Sequence, residues 1–182
     1  MVVGTHGATG IEKLVMGSTA EEIFRLSPKP VLTVGPHVSD DLEFDAGLDR
    51  ILFPTDFSPQ SVRALAYAMS LMHNSDSVLT VLYVEDKLAD DTAESRRILR
   101  KVLTGDLERM VGHLNRTVPL AYDVQFGNPV ANILDVASKQ KANLIVLGVQ
   151  RQRDLASHAT WSIASKIVRR ARCPVLTVRD WV

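Results

Sequence analysis

The sequence predicts an α/β protein, a three-layer α/β/α sandwich around a parallel sheet, and three observations support this class. Short apolar runs alternate with helical periodicity, giving the order βαβαβαβαβ over residues 49–182. Two of these runs are almost wholly apolar, as in strands buried on both faces of a sheet. Finally, residues 2–36 align without a gap on residues 146–180, with PVLTV at Pro30–Val34 recurring at Pro174–Val178.

The repeat also predicts the domain organisation. Each copy consists of an apolar run, a turn, a helix and a second apolar run, which is the closing β-α-β unit of a parallel sheet. The second copy follows a full domain, whereas the first begins at Met1. We therefore expect the C-terminal part of a first domain at 1–36, an acidic linker at 37–48 and a complete domain at 49–182.

Local signals predict the elements of the complete domain in order. A short apolar strand covers Ile51–Phe53, and Ser58 and Pro59 then begin a helix as its cap and first-turn proline. The expected apolar face of that helix consists of Val62, Leu65, Ala66, Met69 and Met72. The later elements are a strand at 78–84, a helix at 92–115, an edge strand at 120–126, a helix at 130–140 and a strand at 144–147.

The helix at 92–115 is amphipathic. Its apolar residues are Val102, Leu103, Leu107, Met110, Val111 and Leu114, and its charged residues, expected to face water, are Arg96, Arg97, Arg100, Lys101 and Glu108.

Composition narrows the function classes. The chain has 21 Lys and Arg and 21 Asp and Glu, so it has no general attraction for nucleic acid or anionic lipid, and neither is an expected partner. The basic cluster Lys166, Arg169, Arg170 and Arg172 is interpreted as cations at a helix C-terminus. The single cysteine, Cys173, is interpreted as a packed, inert thiol. With no membrane-length or signal-like run, a cytoplasmic protein is expected.

The first repeat copy has the spacing of a phosphate-binding loop, Gly4-x2-Gly7-x9-Gly17-Ser18. Glycines allow the backbone to take positive φ and to approach an anion closely. The helix that begins at Gly17-Ser18 presents free N–H groups and the positive end of its dipole. A structural alternative stays open for Ser18, because Ser18 and Glu21 also form a capping box that needs no ligand.

Taken with the repeat and this loop, three further motifs resemble the universal stress protein family. They are Pro54-Thr55-Asp56 and Tyr83-Val84-Glu85-Asp86 at strand ends and the turn Gly127-Asn128-Pro129. The resemblance covers nearly everything except the linker and implies a tandem member without the front of its first domain. It implies a five-stranded sheet of order 3-2-1-4-5, of the Rossmann-like adenine nucleotide alpha hydrolase type, plus an extra N-terminal β-α-β unit.

By position, the resemblance implies an ATP site at the carboxyl ends of strands 1 and 4. Pro54 and Asp56 would lie in its adenine and ribose region, backbone groups of Val84 would meet the adenine edge, and the loop after Gly148 would wrap the phosphates. Two simpler roles stay open: Asp56 as a cap for the turn into Ser58, and Val84 as a buried strand residue.

The complete domain departs from the family pattern in its phosphate loop. The counterpart of Gly7 is Arg151 and that of Gly17 is Trp161, while Ser162 is retained. Arginine does not readily take positive φ, and tryptophan occupies space near a phosphate, although Arg151 would also supply charge to one. ATP binding is therefore expected to be weakened or lost in the complete domain. The copy at 1–36 has the glycines but lacks its own adenine-binding strands.

The leading hypothesis is a non-enzymatic stress-response protein that acts by association with partners. The sequence shows no nucleophile–base pair, no second acidic group near Asp56 and no histidine spacing for a metal. The alternative is an ATP-binding switch or weak ATP hydrolase that uses Asp56 and the loop after Gly148. A phosphoacceptor receiver domain is disfavoured, because Asp56 stands without an acidic cluster and Arg179 replaces the expected lysine.

Self-association is also expected. The resemblance implies pairing of Val31–Val34 against Val175–Val178, the fifth strands of the two domains. The strand at Val2–Gly4 would then present an apolar, unpaired edge, which favours a homo-oligomer through strand-edge pairing.

Overall fold

The structure, a computed structural model, describes residues 1–4, 22–23, 26–38, 48–72, 77–88, 90–112, 119–149 and 158–179, with side chains from residue 163 onward in the last range. Its strands are β1 (Val2–Gly4), β2 (Val31–Val34), β3 (Arg50–Thr55), β4 (Val78–Glu85), β5 (Leu120–Phe126), β6 (Leu144–Val149) and β7 (Val175–Arg179). Its helices are α1 (Pro59–Ser70), α2 (Ala93–Val111), α3 (Pro129–Lys139) and α4 (His158–Arg170).

All of the strands form one sheet of order β1-β2-β7-β6-β3-β4-β5. Neighbouring strands are parallel except β2 and β7, which are antiparallel, with Val31 opposite Thr177 and Thr33 opposite Val175. The predicted α/β class with a mostly parallel sheet is confirmed. Counted within residues 49–182, the strands lie in the order 3-2-1-4-5, and β5 is at one edge as expected.

Helices cover both faces of the sheet, because successive strand residues point to opposite sides. In β3, Leu52 packs with α3 and α4, whereas Ile51 and Phe53 pack with α1 and α2. Each large side chain buried in this way contributes roughly 1.5–3 kcal/mol. The two cores on either side of one sheet make the predicted three-layer sandwich.

Polar caps begin three of the helices. The Ser58 hydroxyl accepts the N–H of Ser61 at 3.3 Å, and Pro59 occupies the first turn of α1, as predicted. Thr92 and Asn128 cap α2 and α3 in the same way, with N–H to oxygen distances of 3.2 and 3.0 Å. These caps satisfy N–H groups that have no partner inside the helix, so each helix begins at its cap.

The predicted apolar face of α1 is wrong in part. Leu65 is buried, but Val62 is 42% exposed and Ala66 is also exposed. The helix buries a face made mostly of small side chains, namely Ser61, Ala64, Leu65 and Ala68. Small side chains let α1 lie close to the sheet, and this close approach decides which face is buried more than hydropathy does.

The apolar face of α2 also differs in part from the sequence expectation, whereas its predicted charged residues are all exposed. Leu103, Leu107 and Val111 are buried, but Val102 is 52% exposed. Among the charged residues, the guanidinium groups of Arg96 and Arg100 lie 5.5 and 5.3 Å from the centre of the Phe126 ring. These two arginines therefore shield an aromatic ring on the edge strand, in addition to facing water.

The N-terminal repeat copy adds two strands to the sheet. β1 is parallel to β2, the amino group of Met1 donates to the Pro30 carbonyl at 3.0 Å, and residues 22–23 and 26 are helical. Gly7, Gly17, Ser18 and residues 39–47 of the linker lie outside the described residues. The boundaries of the proposed domains therefore stay a prediction.

Candidate functional site

A cleft of about 230 Å³ opens at the carboxyl ends of β3, β4 and β6. This is the topological switch point of the sheet, since the chain runs from β3 to β4 on one side while β6 lies on the other. The cleft is lined by Pro54, Thr55, Asp56, Ser61, Leu82, Tyr83, Val84, Asp86, Pro129, Ile133, Leu147, Gly148 and Ile163.

The cleft opens where two neighbouring strands separate. Pairing of β3 with β6 is seen at Ile51 and Leu52, whereas pairing of β3 with β4 continues to Thr55. Pro54 has no N–H to donate to a ladder, which is consistent with the early end of the β3–β6 pairing. The separated strand ends leave a crevice between them, and the predicted site residues Pro54, Val84 and Gly148 line it.

A network of hydroxyl groups holds the turn from β3 into α1. The Thr55 and Ser61 hydroxyl oxygens are 2.9 Å apart, and Thr55 also accepts the N–H of Phe57 at 3.0 Å. The Ser61 hydroxyl donates to the Ser58 carbonyl at 2.9 Å. Phe57 takes a φ of 59°, which is unusual for a bulky residue, so this network holds a strained turn beside the cleft.

Asp56 lies at the end of this turn and is exposed. Its Oδ1 accepts the N–H of Ser58 at 3.0 Å, so the capping role considered above is present. A carboxylate has two oxygens with several lone pairs, so this bond leaves Asp56 able to accept hydrogen bonds from a ligand as well.

Asp86 lines the same cleft, and this corrects the expectation that Asp56 has no second acidic group nearby. The two residues are far apart in sequence, but they follow adjacent strands whose carboxyl ends meet at one edge of the sheet. Both side chains are exposed. The described lining residues therefore include two carboxylates and no lysine or arginine.

Tyr83 also lines the cleft; it belongs to the strand-end motif Tyr83-Val84-Glu85-Asp86 but was not predicted as a site residue. Its ring lies 4.9 Å from that of Phe57, centre to centre, and its hydroxyl lies 3.5 Å from Glu85 Oε2. Burial raises the pKa of the Tyr83 phenol, and the negative charges of Glu85, Asp86 and Asp56 raise it further. The phenol therefore stays protonated and able to donate at neutral pH. The sequence signal that could have identified Tyr83 as a site residue is its position as an aromatic residue at the carboxyl end of a buried strand.

The family of this chain follows from its similarity to known proteins. The model of the universal stress protein family matches residues 1–35 and 47–179, which is most of the chain. The chain belongs to the universal stress protein family. A universal stress protein of Methanocaldococcus jannaschii is 27% identical over 138 residues, a match that covers 71% of this chain and 81% of the relative.

Solved structures of universal stress proteins share the fold. One from Archaeoglobus fulgidus superposes with a TM-score of 0.69 at 22% identity, over 98% of this chain and 61% of that one. The chain thus spans about three fifths of the length of that protein. Another, a universal stress protein in complex with cAMP, has a TM-score of 0.54 at 19% identity and is covered over 96% of its length, against 71% of this chain.

Gly148, which the family resemblance placed in the phosphate loop, has a packing role of its own. A Cβ at this position would lie 2.5 Å from the Ser61 nitrogen and 2.6 Å from the Gln60 carbonyl carbon and oxygen. These are backbone atoms that cannot turn away. The absence of a side chain at Gly148 is therefore required by the approach of α1, whether or not a ligand binds.

Of the remaining predicted site residues, Gly4 is described and is not among those that line this cleft. Gly4 ends β1, three positions from β6 in the sheet order. Ser162 lies within α4, and Arg151 lies outside the described residues, as do Gly7, Gly17 and Ser18. Their part in binding a nucleotide stays a prediction.

Two features are absent from the described part of the chain. In that part, no group of three or more His, Cys, Asp or Glu side chains is placed to hold a metal ion. Nor does any helix described there have the length and apolar character needed to cross a membrane.

Proposed function

We propose that this universal stress protein acts without catalysis, by association with partners, and that its cleft accepts the nucleoside part of an adenine nucleotide but binds ATP weakly. The weak binding of ATP rests on one observation. Asp56 and Asp86 both line the cleft, and its described lining includes no cation. Carboxylates suit the hydroxyl donors of a ribose and repel a triphosphate.

Two further findings support this proposal. The sequence places Arg151 and Trp161 where the intact loop of the first repeat copy has Gly7 and Gly17, which removes the conformational freedom of a phosphate cradle. In addition, a protein of the same fold is known in complex with cAMP, a nucleotide with one phosphate rather than three.

Calorimetric titration with adenosine and with ATP tests the nucleotide part. We expect ATP to bind roughly tenfold more weakly than adenosine at low salt, and Asp86→Asn to narrow that gap by removing one repulsive charge. Asp49→Asn, which also removes one carboxylate but lies outside the cleft, should leave the gap unchanged. ATP that copurifies with the protein, or that binds more tightly than adenosine, would contradict the proposal.

The alternative is an ATP switch or weak hydrolase that uses Asp56 and the loop after Gly148. The second carboxylate favours it, because Asp56 and Asp86 together offer oxygen ligands for a magnesium–nucleotide complex. Steady ATP turnover that Asp56→Ala abolishes would replace the non-enzymatic proposal with this one. Absence of turnover with intact adenosine binding would favour the first.

The association that we propose is a homo-oligomer formed at β1, in the cytoplasm. β1 is at one end of the sheet, and Met1, Val2 and Leu26 are 62%, 70% and 68% exposed. An apolar strand edge is a template for pairing with another chain. Light scattering of the wild type should show a dimer or larger species, and Val2→Lys should shift it toward the monomer. A wild-type monomer at high concentration would contradict this.

A further inference from the structure

A second cleft lies at the other ends of the strands. It has a volume of about 550 Å³ and opens at the amino ends of β3, β6 and β7. Four cationic side chains line it, namely Arg50, Lys141, Arg170 and Arg172. Apolar side chains also line it, contributed by Leu134, Ala137, Ala142 and Ala171.

The described residues that line this cleft carry charge of one sign. None of them is acidic, although the chain as a whole carries equal numbers of both charges. Lys139, at the end of α3, is not among the residues that line the cleft and forms an ion pair of 2.7 Å with Asp135. Four cations around one concave, partly apolar surface produce a positive potential that is focused by the low-dielectric walls.

Two hydrogen bonds hold Arg50 at the start of β3, one from its side chain and one from its backbone N–H. Its Nε donates to the Lys141 carbonyl at 2.9 Å, and its backbone N–H donates to Asn143 Oδ1 at 3.2 Å. A guanidinium has five N–H donors, so the bond from Nε leaves the terminal nitrogens able to bind an anion in a fixed fork. The arginine is therefore oriented before any ligand arrives.

Lys141 occupies a backbone position that normally favours glycine. The Lys141 N–H donates to the Ser138 carbonyl and the Ala142 N–H donates to the Ala137 carbonyl, at 3.1 and 2.8 Å, which closes α3 with a Schellman motif. Lys141 has a φ of 50° in this motif. A lysine here costs stability relative to glycine, and it adds a cation to the cleft.

We propose that this cleft binds an organic phosphate, with the phosphate held by the four cations and the apolar part of the molecule packed against the alanines and Leu134. The volume lies in the range of small-molecule sites and exceeds what a bare phosphate fills. Compensation of helix dipoles accounts for Lys141 and Arg170 at helix C-termini. Arg50 begins a strand but also reaches the end of α3 through the Lys141 carbonyl; dipole compensation does not, however, require an apolar-walled cleft between these cations. The site is independent of the nucleotide cleft proposed above.

The fluorescent probe 1-naphthyl phosphate, titrated at ~50 mM salt, tests the site, with inorganic phosphate as the comparison. We expect sub-millimolar binding of the probe, roughly tenfold tighter than inorganic phosphate because of the apolar walls. In a two-dimensional amide NMR spectrum, the probe should shift the resonances of residues 141–143 and 170–173. No binding up to about 10 mM, or shifts confined to the carboxyl-end cleft, would overturn the proposal.

Matched variants separate a specific site from general charge attraction. Arg170→Gln with Arg172→Gln removes two exposed cations from the cleft and should weaken probe binding roughly tenfold or more. Lys29→Gln with Lys101→Gln removes two exposed cations elsewhere and should change it less than about twofold. Equal losses in the two double variants would overturn the proposal. Asp86→Asn should leave probe binding unchanged, which keeps this test separate from that of the nucleotide cleft.

Lys141→Gly distinguishes a binding role from a structural one. Glycine suits the positive φ, so this variant should unfold at a higher temperature than the wild type while binding the probe roughly threefold to tenfold more weakly. Unchanged probe affinity in a fully folded Lys141→Gly protein would remove lysine from the site. Vesicles containing phosphatidic acid form a further arm: sedimentation with them would identify a lipid headgroup as the source of the phosphate, and its absence a soluble ester.

Discussion

Gly148 and Gly4 are equivalent in the repeat, but the structure gives them different surroundings. A Cβ on Gly148 would meet the backbone of α1, whereas a Cβ on Gly4 would meet no atom of the described residues within 4 Å. A glycine that aligns with a ligand loop is therefore retained in the second copy for packing. The loss of the other loop glycines from that copy is consistent with this explanation.

Gly148→Ala should destabilise the protein by about 2–3 kcal/mol, because either α1 or β6 must move to admit a methyl group against backbone atoms. Urea unfolding followed by circular dichroism measures the loss. Gly4→Ala is the matched control and should change the free energy of unfolding by less than about 0.5 kcal/mol. Equal effects of the two substitutions would show that contact with α1 does not determine the requirement for glycine.

Cys173 should be unreactive in the folded protein. The side chain is buried, and desolvation raises the pKa of its thiol from 9.0 to about 12. Near pH 8 the thiolate fraction is then roughly a thousandfold lower than in an unfolded chain. Alkylation by iodoacetamide, followed by mass spectrometry, should be at least about a hundredfold slower in native buffer than in denaturant. Comparable rates would contradict the burial.

The same shift in pKa gives a stability effect with a defined sign. Because the folded state holds the thiol proton more tightly, this contribution is complete below about pH 9 and is lost as the pH rises from 9 toward 12. Cys173→Ser lacks an ionisable thiol and should therefore lose less stability than the wild type over that interval.

At the scale of elements, the sequence was sufficient for the order of strands and helices but not for helix faces. Caps such as Ser58 and Asn128 act within a few residues, so local sequence identifies them. The buried face of α1 depends on a neighbour distant in sequence, Gly148, whose missing side chain lets Ser61 and Ala64 approach the sheet. The hydropathy pattern of α1 alone contains no information about Gly148, so it wrongly assigns Val62 to the buried face.

The candidate site shows the same division. The family resemblance implies Asp56, Val84 and Gly148 as site residues, and the structure brings them into one cleft. Asp86 and Tyr83 were missed as site residues, because their closeness to Asp56 depends on which strands are adjacent. Sequence spacing contains no direct information on that adjacency.

The junction of β1 and β2 with the rest of the sheet includes a close contact at Gly35. β2 pairs with β7, and a Cβ on Gly35 would lie 2.5 Å from the carbonyl oxygen of Val168 in α4. Gly35→Ala should therefore weaken the docking of β1 and β2 by roughly 1–3 kcal/mol while leaving β3–β6 intact. Amide hydrogen exchange should show faster exchange at Val31 and Thr33 than in the wild type. A uniform change over all strands would indicate global destabilisation instead.

At the scale of the whole molecule, the described linings of the two clefts carry opposite charge. The smaller cleft, at the carboxyl ends of the strands, is lined by Asp56 and Asp86. The larger cleft, at the amino ends, is lined by Arg170 and Arg172. A strand rises about 3.3 Å per residue, so the six residues of β3 hold the two clefts roughly 20 Å apart. That separation exceeds the Debye length of about 8 Å at physiological salt, so each cleft is largely screened from the other.

The two clefts should therefore respond independently to substitution. In a variant that combines Asp86→Asn with Arg170→Gln and Arg172→Gln, the changes in free energy of binding should match those of the separate variants within about 0.5 kcal/mol, for adenosine and for 1-naphthyl phosphate. Titration of each ligand in the presence of saturating amounts of the other is the direct measurement. If one ligand alters the affinity for the other by more than about threefold at physiological salt, screening by salt does not make the two clefts independent. Coupling would then have to pass through the packed strands that join the clefts, β3 and β6, and Gly148→Ala, which disturbs β6, should change its size.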